Sequence, residues 1–180
     1  MQFIILLVKL AVSLLSADDF AALHRLNALA AVAPPQSVHL SIPSIHVEAA
    51  VVPVALKAFP DGVVTWDVSQ IDWEVGYFEG TAWFGENSNT VLGGHSELEA
   101  RQPAVFQRLD RLRTGDVITV RTAAEEWSFV VHQVTTVAVD DLSLLYPTDS
   151  AQLTLITCDP QSLSENGSYD RRVVVIARSV

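Results

Sequence analysis

The chain is poor in several things, and each shortage excludes a class of protein. It holds a single cysteine, Cys158, in 180 residues. One cysteine cannot make an intramolecular disulfide, and it cannot build the thiolate-rich sites that hold structural zinc or iron–sulfur clusters. Positive charge is also scarce, with 11 Lys and Arg against 21 Asp and Glu and a net charge of −10. No basic stripe or Lys/Arg-rich run is present, so nucleic acid is not an expected partner. The Asp and Glu residues are scattered and form no calcium-like cluster, so neither a metal nor another cofactor is expected. No apolar run reaches the roughly 20 residues of a full membrane span. Internal repeats and low-complexity segments are absent.

What is present points to a packed domain. Hydrophobic residues make up 49% and charged residues 18%, which allows a core and disfavours global disorder. Residues 1–16 form an apolar N-terminal segment, interrupted by Lys9 and read as a short membrane anchor. No Ala-x-Ala site followed by a clear mature start marks it for cleavage. Residues 17–36 read as a helical linker. Asp18 or Asp19 can cap a helix to Ala33, with Phe20, Leu23, Leu26 and Ala30 near one face. Pro34-Pro35 stops it. The domain proper is placed at 37–180.

From Ser37 the texture is that of strands. Val38 to Ile42 alternates, and Val47 to Val54 is β-branched. Pro60-Asp61-Gly62 signals a turn ahead of Val63 to Trp66. Residues 67–89 are aromatic and turn-rich and read as a packed surface loop. Further strands are expected at Thr90 to His95, Val117 to Arg121, Glu126 to Val139, Leu153 to Asp159 and from Arg172 to Arg178. Asp140 to Ser150 is a polar loop. Pro103 to Leu112 reads as a helix, with Pro103 in the first turn and Val105, Phe106, Leu109 and Leu112 as its apolar stripe. That makes seven or eight strands and one or two helices without regular alternation. A mostly β fold, an antiparallel barrel or sandwich, is expected rather than a doubly wound parallel sheet.

The chemistry centres on three strand ends. Leu153 to Cys158 is a short apolar, β-branched run that delivers the thiol at its C-terminal end. His95 follows Thr90-Val91-Leu92-Gly93-Gly94. Arg172 precedes Val173-Val174-Val175-Ile176. A thiol attacks a carbonyl as thiolate and is helped by an imidazole. A guanidinium can stabilise the oxyanion of the tetrahedral intermediate without losing its proton. With ordinary pKa values the thiolate–imidazolium pair is a minor species, on the order of one per cent. Taken singly, each residue also has a bland reading. Cys158 could be a small buried hydrophobe, His95 a turn residue and Arg172 a solvated strand end beside Arg171. His24, His39, His46 and His132 are the competing imidazoles.

These motifs resemble the sortases, cysteine transpeptidases of the bacterial cell surface. Thr154-Leu155-Ile156-Thr157-Cys158 is similar to the family's TLxTC signature. Val91 to His95 is similar to its Gly-His strand, and Arg172 to Ala177 to its Arg-led final strand. Ile42-Pro43-Ser44-Ile45 with Ala50-Val51-Val52-Pro53 resembles the opening of the domain. Leu109-Asp110-Arg111-Leu112 with Gly115-Asp116 resembles its central helix and turn. The likeness runs in order from about Val38 to Ala177.

The resemblance implies a closed eight-stranded β-barrel. It implies catalytic Cys158, His95 and Arg172, with Arg171 as the alternative arginine, and it implies that Thr154 and Thr157 line the substrate groove or help the oxyanion. The substrate would be a C-terminal LPxTG-like sorting signal of a surface protein, cleaved between Thr and Gly through a thioacyl intermediate on Cys158. An amine from a peptidoglycan precursor or a pilin lysine would resolve it. The place would be the outer face of the membrane, through the N-terminal anchor. A hydrolytic cysteine peptidase of the same fold and a non-catalytic surface-binding barrel are the competing readings.

Overall fold

A computed structural model of the chain describes residues 37–58, 64–165 and 167–180. The apolar N-terminal segment, the linker helix with its Pro34-Pro35 stop, and the Pro60-Asp61-Gly62 turn lie outside the described residues.

Ten strands appear among the described residues: β1 Val38–Ile42, β2 Val47–Val54, β3 Leu56–Ala58, β4 Val64–Trp66, β5 Val75–Phe78, β6 Asn89–Gly93, β7 Val117–Arg121, β8 Glu126–Ala138, β9 Gln152–Cys158 and β10 Arg171–Ser179. Eight of them close a barrel in the order β1-β2-β5-β6-β9-β10-β8-β7, while β3 and β4 form a separate pair. Closure leaves no open edge. The barrel is mostly antiparallel, with parallel contacts only at β2–β5 and β6–β9.

Alternation sorts each strand into two faces. Leu153 and Leu155 of β9, with Val173, Val175 and Ala177 of β10, join the large apolar cluster inside the barrel, together with Leu40, Leu92, Ile118, Val120 and Phe129. The intervening residues face outward. There Ile156 and Cys158 join a second cluster with Val54, Trp66, Val68, Ile71, Phe78 and Val91. Each fully buried Leu, Val or Phe stabilises by roughly 1.5–3 kcal/mol. The long strand β8 turns Phe129, Val131 and Val134 inward through a register shift opposite Ile176 and Ala177, where Gln133 and Val131 are the successive partners. A bulge of this kind resets the face that follows it.

Two expectations need correction. The segment 103–112 is not an α-helix but a series of turns ending in a short 3-10 turn at Leu109–Arg111. Its apolar stripe is buried as expected, with Phe106 and Leu109 fully enclosed. However, the amides of Ala104 and Phe106 donate to the carbonyls of Ser96 and His95. Downstream, the amides of Gln107, Leu109 and Leu112 donate to carbonyls three residues back, those of Ala104, Phe106 and Leu109, so the segment winds more tightly than an α-helix. The 67–89 stretch is also more than a loop, because it contains β5, which is buried at all four positions. A Cβ at Gly76 of this strand would sit 2.6 Å from Val54 Cγ2, so the close approach requires glycine there.

Candidate active site

Cys158 is the last residue of β9, and Arg172 is the second of β10. The two are direct partners in the antiparallel register. Opposed residues project from the same face of the sheet, so the ladder itself brings thiol and guanidinium together. Each is 4% exposed. Arg172 is held by its Nη1, which donates to the carbonyls of Tyr169 at 2.9 Å and Arg171 at 3.0 Å.

The neighbouring Arg171 behaves differently. It opposes Ala138 of β8, is exposed, and pairs through Nη2 with Asp159 Oδ2 at 3.0 Å. Asp159 also accepts from the Gln161 amide at 3.0 Å through Oδ1, which caps the short 3-10 turn Pro160–Ser162.

His95 reaches the same region by another route. The last β6–β9 pair is Gly93 with Ile156. The Gly94 amide then donates to the Ile156 carbonyl at 3.2 Å, and Thr157 Oγ1 donates to the Gly94 carbonyl at 2.8 Å. Two residues beyond the last pair, the chain is therefore level with Cys158. His95 Nε2 lies 3.3 Å from the Val68 carbonyl. A carbonyl only accepts, so this nitrogen carries its proton in that arrangement, leaving Nδ1 as the ring position that can take or hold the second proton. Val68 belongs to the apolar cluster that encloses Cys158. The Val68 carbonyl thus ties the imidazole to the element whose side chain packs in the cluster that holds Cys158.

Burial pushes the Cys158 thiol up to about 11. The Arg172 charge opposes this shift, whereas Glu97 and Asp159 add to it. At neutral pH the resting thiolate fraction is then about one part in ten thousand. Attack from this state requires the thiol proton to leave as the Sγ–C bond forms, and an imidazole is the natural acceptor.

A cavity of about 600 Å³ opens beside the site and is lined by Thr157, Cys158, Asp159, Glu97, Phe106 and Arg171 among others. Neither His95 nor Arg172 belongs to that lining. Thr157 is thus both a cavity residue and the anchor of the His95 turn. Thr154 lies deeper and is fully buried. Its Oγ1 donates to Asn89 Oδ1 at 2.7 Å, and Asn89 Nδ2 donates to the carbonyls of Leu144 and Tyr146. Through Asn89 this threonine ties β9 to the loop after β8. The described residues include no group of three or more His, Cys, Asp or Glu placed to hold a metal ion.

Two residues that sequence motifs do not mark are part of this region. Tyr169 Oη donates to Glu97 Oε2 at 2.9 Å across 72 positions of chain. Glu97 lies two residues after His95, which is the one local hint to its placement.

The sortase-domain family model matches residues 40–180. The chain belongs to the sortase family. That membership makes it a cysteine transpeptidase in general class. Solved sortases share its fold. Sortase A of Corynebacterium diphtheriae, in a lid-mutant form, superposes with a TM-score of 0.64 at 24% identity, over 92% of this chain and 80% of that one. Sortase C-1 of Actinomyces oris gives 0.64 at 24% identity over 96% and 86%. Sortase A of Listeria monocytogenes gives 0.62 at 18% identity over 81% and 87%. No curated protein is matched by the sequence. Among the described residues no helix is long and apolar enough to cross a membrane.

Proposed function

We propose that this sortase uses Cys158 as nucleophile, His95 as proton carrier and Arg172 as oxyanion partner in acyl transfer from an LPxTG-like sorting signal to an amine. The observation that carries this reading is the register pairing of Cys158 with Arg172. It supports the reading because a permanent cation opposite the nucleophile's residue is near where the substrate carbonyl, and with it the oxyanion, would lie during attack. His95 takes the thiol proton during attack on the Thr–Gly carbonyl. It returns that proton to the departing glycine amine as the C–N bond breaks, leaving a thioester on Cys158. Thr157 lines the peptide's approach, and Thr154 supports the strand from behind. The acceptor amine comes from a peptidoglycan precursor or a pilin lysine. The domain of residues 37–180 works on the outer face of the membrane, with the N-terminal apolar segment as its tether.

The test is product analysis. The full chain is incubated with an LPxTG peptide and an excess of a primary amine, and the products are separated by mass. Cleavage after Thr with appearance of the amide, lost in Cys158→Ala and strongly reduced in Arg172→Ala, is the expected outcome. Cleavage that yields only the free acid at every amine concentration would overturn the transferase reading in favour of a hydrolase.

A further inference from the structure

The second half of an acyl transfer needs a place for the acceptor, and one carboxylate is held at such a place. Glu97 lines the cavity that contains Cys158, is half-buried, and is close enough for its charge to disfavour the thiolate. Its position is built on both sides. Its backbone bridges Pro103, and the Leu98 amide donates to the Gln102 carbonyl at 2.8 Å, which closes a small loop. Its Oε2 accepts from Tyr169 Oη. Tyr169 in turn packs against the outer apolar cluster, and its carbonyl accepts from Arg172. A chain of contacts therefore runs from the guanidinium opposite Cys158, through Tyr169, to the carboxylate. Burial first, and then the hydrogen bond to Glu97, push the Tyr169 phenol up to about 12, so it stays a donor at any ordinary pH. For a thiol that has to ionise, a nearby anion is a hindrance. For a thioester waiting for a cationic acceptor, it is an attraction.

We infer that Glu97, held in place by Tyr169, is the residue that selects a primary ammonium as the second substrate. The inference rests on the acyl-transfer reading above and adds the acceptor subsite to it. The ammonium binds Glu97 through charge-assisted hydrogen bonds at the cavity rim. It gives one proton to water before attack. The amine nitrogen then bonds to the acyl carbon, and the carbon–Sγ bond to Cys158 breaks. The second amine proton, lost as the amide forms, passes through His95 to the departing thiolate, which leaves as thiol. Glu97 makes none of these bonds. It is a specificity residue, and its effect belongs in KM for the acceptor rather than in kcat.

The test measures, for the full chain with an LPxTG peptide, the ratio of amide to free acid. Two acceptors are titrated near neutral pH: propylamine, which is cationic there, and hydroxylamine, which is neutral. The ratio depends only on the fate of the thioester, so it is independent of how fast the enzyme acylates. Glu97→Gln removes the charge but keeps an oxygen that can accept from Tyr169. It is expected to raise KM for propylamine roughly ten-fold, the scale of one charge-assisted hydrogen bond, while the hydroxylamine ratio holds. Tyr169→Phe keeps the charge and releases its anchor, and is expected to shift the propylamine ratio in the same direction by less. An equal change for both acceptors, or no change for either, overturns the inference while leaving the transferase reading standing. Absence of any acylated wild-type protein overturns both.

Discussion

The two walls of the site are built by different physics. Cys158 and Arg172 stand on neighbouring strands, and the β9–β10 ladder holds seven register pairs from Arg172↔Cys158 to Arg178↔Gln152. The wall that carries His95 has no such ladder. It leaves β6 at Gly93 and is fixed by single hydrogen bonds, from Gly94 to Ile156, from Thr157 to Gly94 and from Phe106 to His95. A ladder distributes its strength, and a loop concentrates it in a few contacts. The thiol and guanidinium should therefore tolerate peripheral change, while the imidazole should be displaced by small ones.

The largest effect should come from breaking the ladder-held pair. Arg172→Ala removes the cation opposite Cys158 and leaves the Tyr169 and Arg171 carbonyls without this donor. A loss of kcat on the order of 10²–10³ is expected, the scale of removing one oxyanion donor. Arg171→Ala is the control. It cuts a pair whose arginine side chain is 51% exposed while its partner Asp159 is buried, so it should cost about 1–3 kcal/mol in stability and lower the rate far less than Arg172→Ala. Equal losses in the two variants would contradict the assignment of the register-paired arginine.

The loop-held wall is probed by Gly94→Ala. A Cβ there would lie 2.7 Å from Phe106 Cδ2 and 2.8 Å from Val105 Cγ1. Relief of that overlap should cost about 1–3 kcal/mol and shift the turn that presents His95. Denaturant unfolding reads the first effect. A fall in peptide turnover, with alkylation of Cys158 unchanged, reads the second and separates the two walls.

A pH measurement sharpens the same contrast. The thiol is raised from 9.0 to about 11 in the folded chain, mainly by burial. A raised pKa means the fold favours the protonated form. The associated stability is fully present below pH 9 and is lost as pH climbs towards 11, by roughly 2–3 kcal/mol. Tyr77 and Tyr169, pushed up to about 12, also lose stabilisation at high pH. The informative quantity is therefore the difference between wild type and Cys158→Ala in unfolding free energy across that window. A flat difference would contradict a buried, protonated thiol. A smaller effect belongs to Thr157→Val, which removes the bond to the Gly94 carbonyl. About 1 kcal/mol of stability and a few-fold fall in kcat are expected, measured by unfolding and by steady-state turnover.

The ladder-held wall is also the more legible one in the sequence. Leu153 to Cys158 and Val173 to Ile176 are short, β-branched runs that can hardly be anything but buried strands, and their paired ends coincide with a recognisable family signature. The runs alone point to a barrel or a sandwich, and the family resemblance that they carry implies the closed eight-stranded barrel that is observed. The loop-held wall is less legible. Val105, Phe106, Leu109 and Leu112 have helical spacing, but buried turns satisfy that spacing equally well once His95 and Ser96 supply carbonyls to the segment. Strand β5 was hidden because Val75-Gly76-Tyr77-Phe78 is short, contains glycine and is buried on both faces, so it shows no alternation. The Glu97–Tyr169 contact has no local pattern, since it joins residues 72 positions apart. Sequence patterns report what neighbours in the chain do together, and Glu97 and Tyr169 meet only in the folded barrel.

The most direct test of the account is intact-mass analysis of the full chain after brief mixing with an LPxTG peptide and no added amine. The account requires a mass increase equal to the acyl fragment ending in threonine, located on Cys158, absent in Cys158→Ala and discharged when amine is added. An unmodified wild-type mass at saturating peptide, with a Cys158 that also resists alkylation, would contradict it, because the chain would then keep the barrel without an accessible nucleophile.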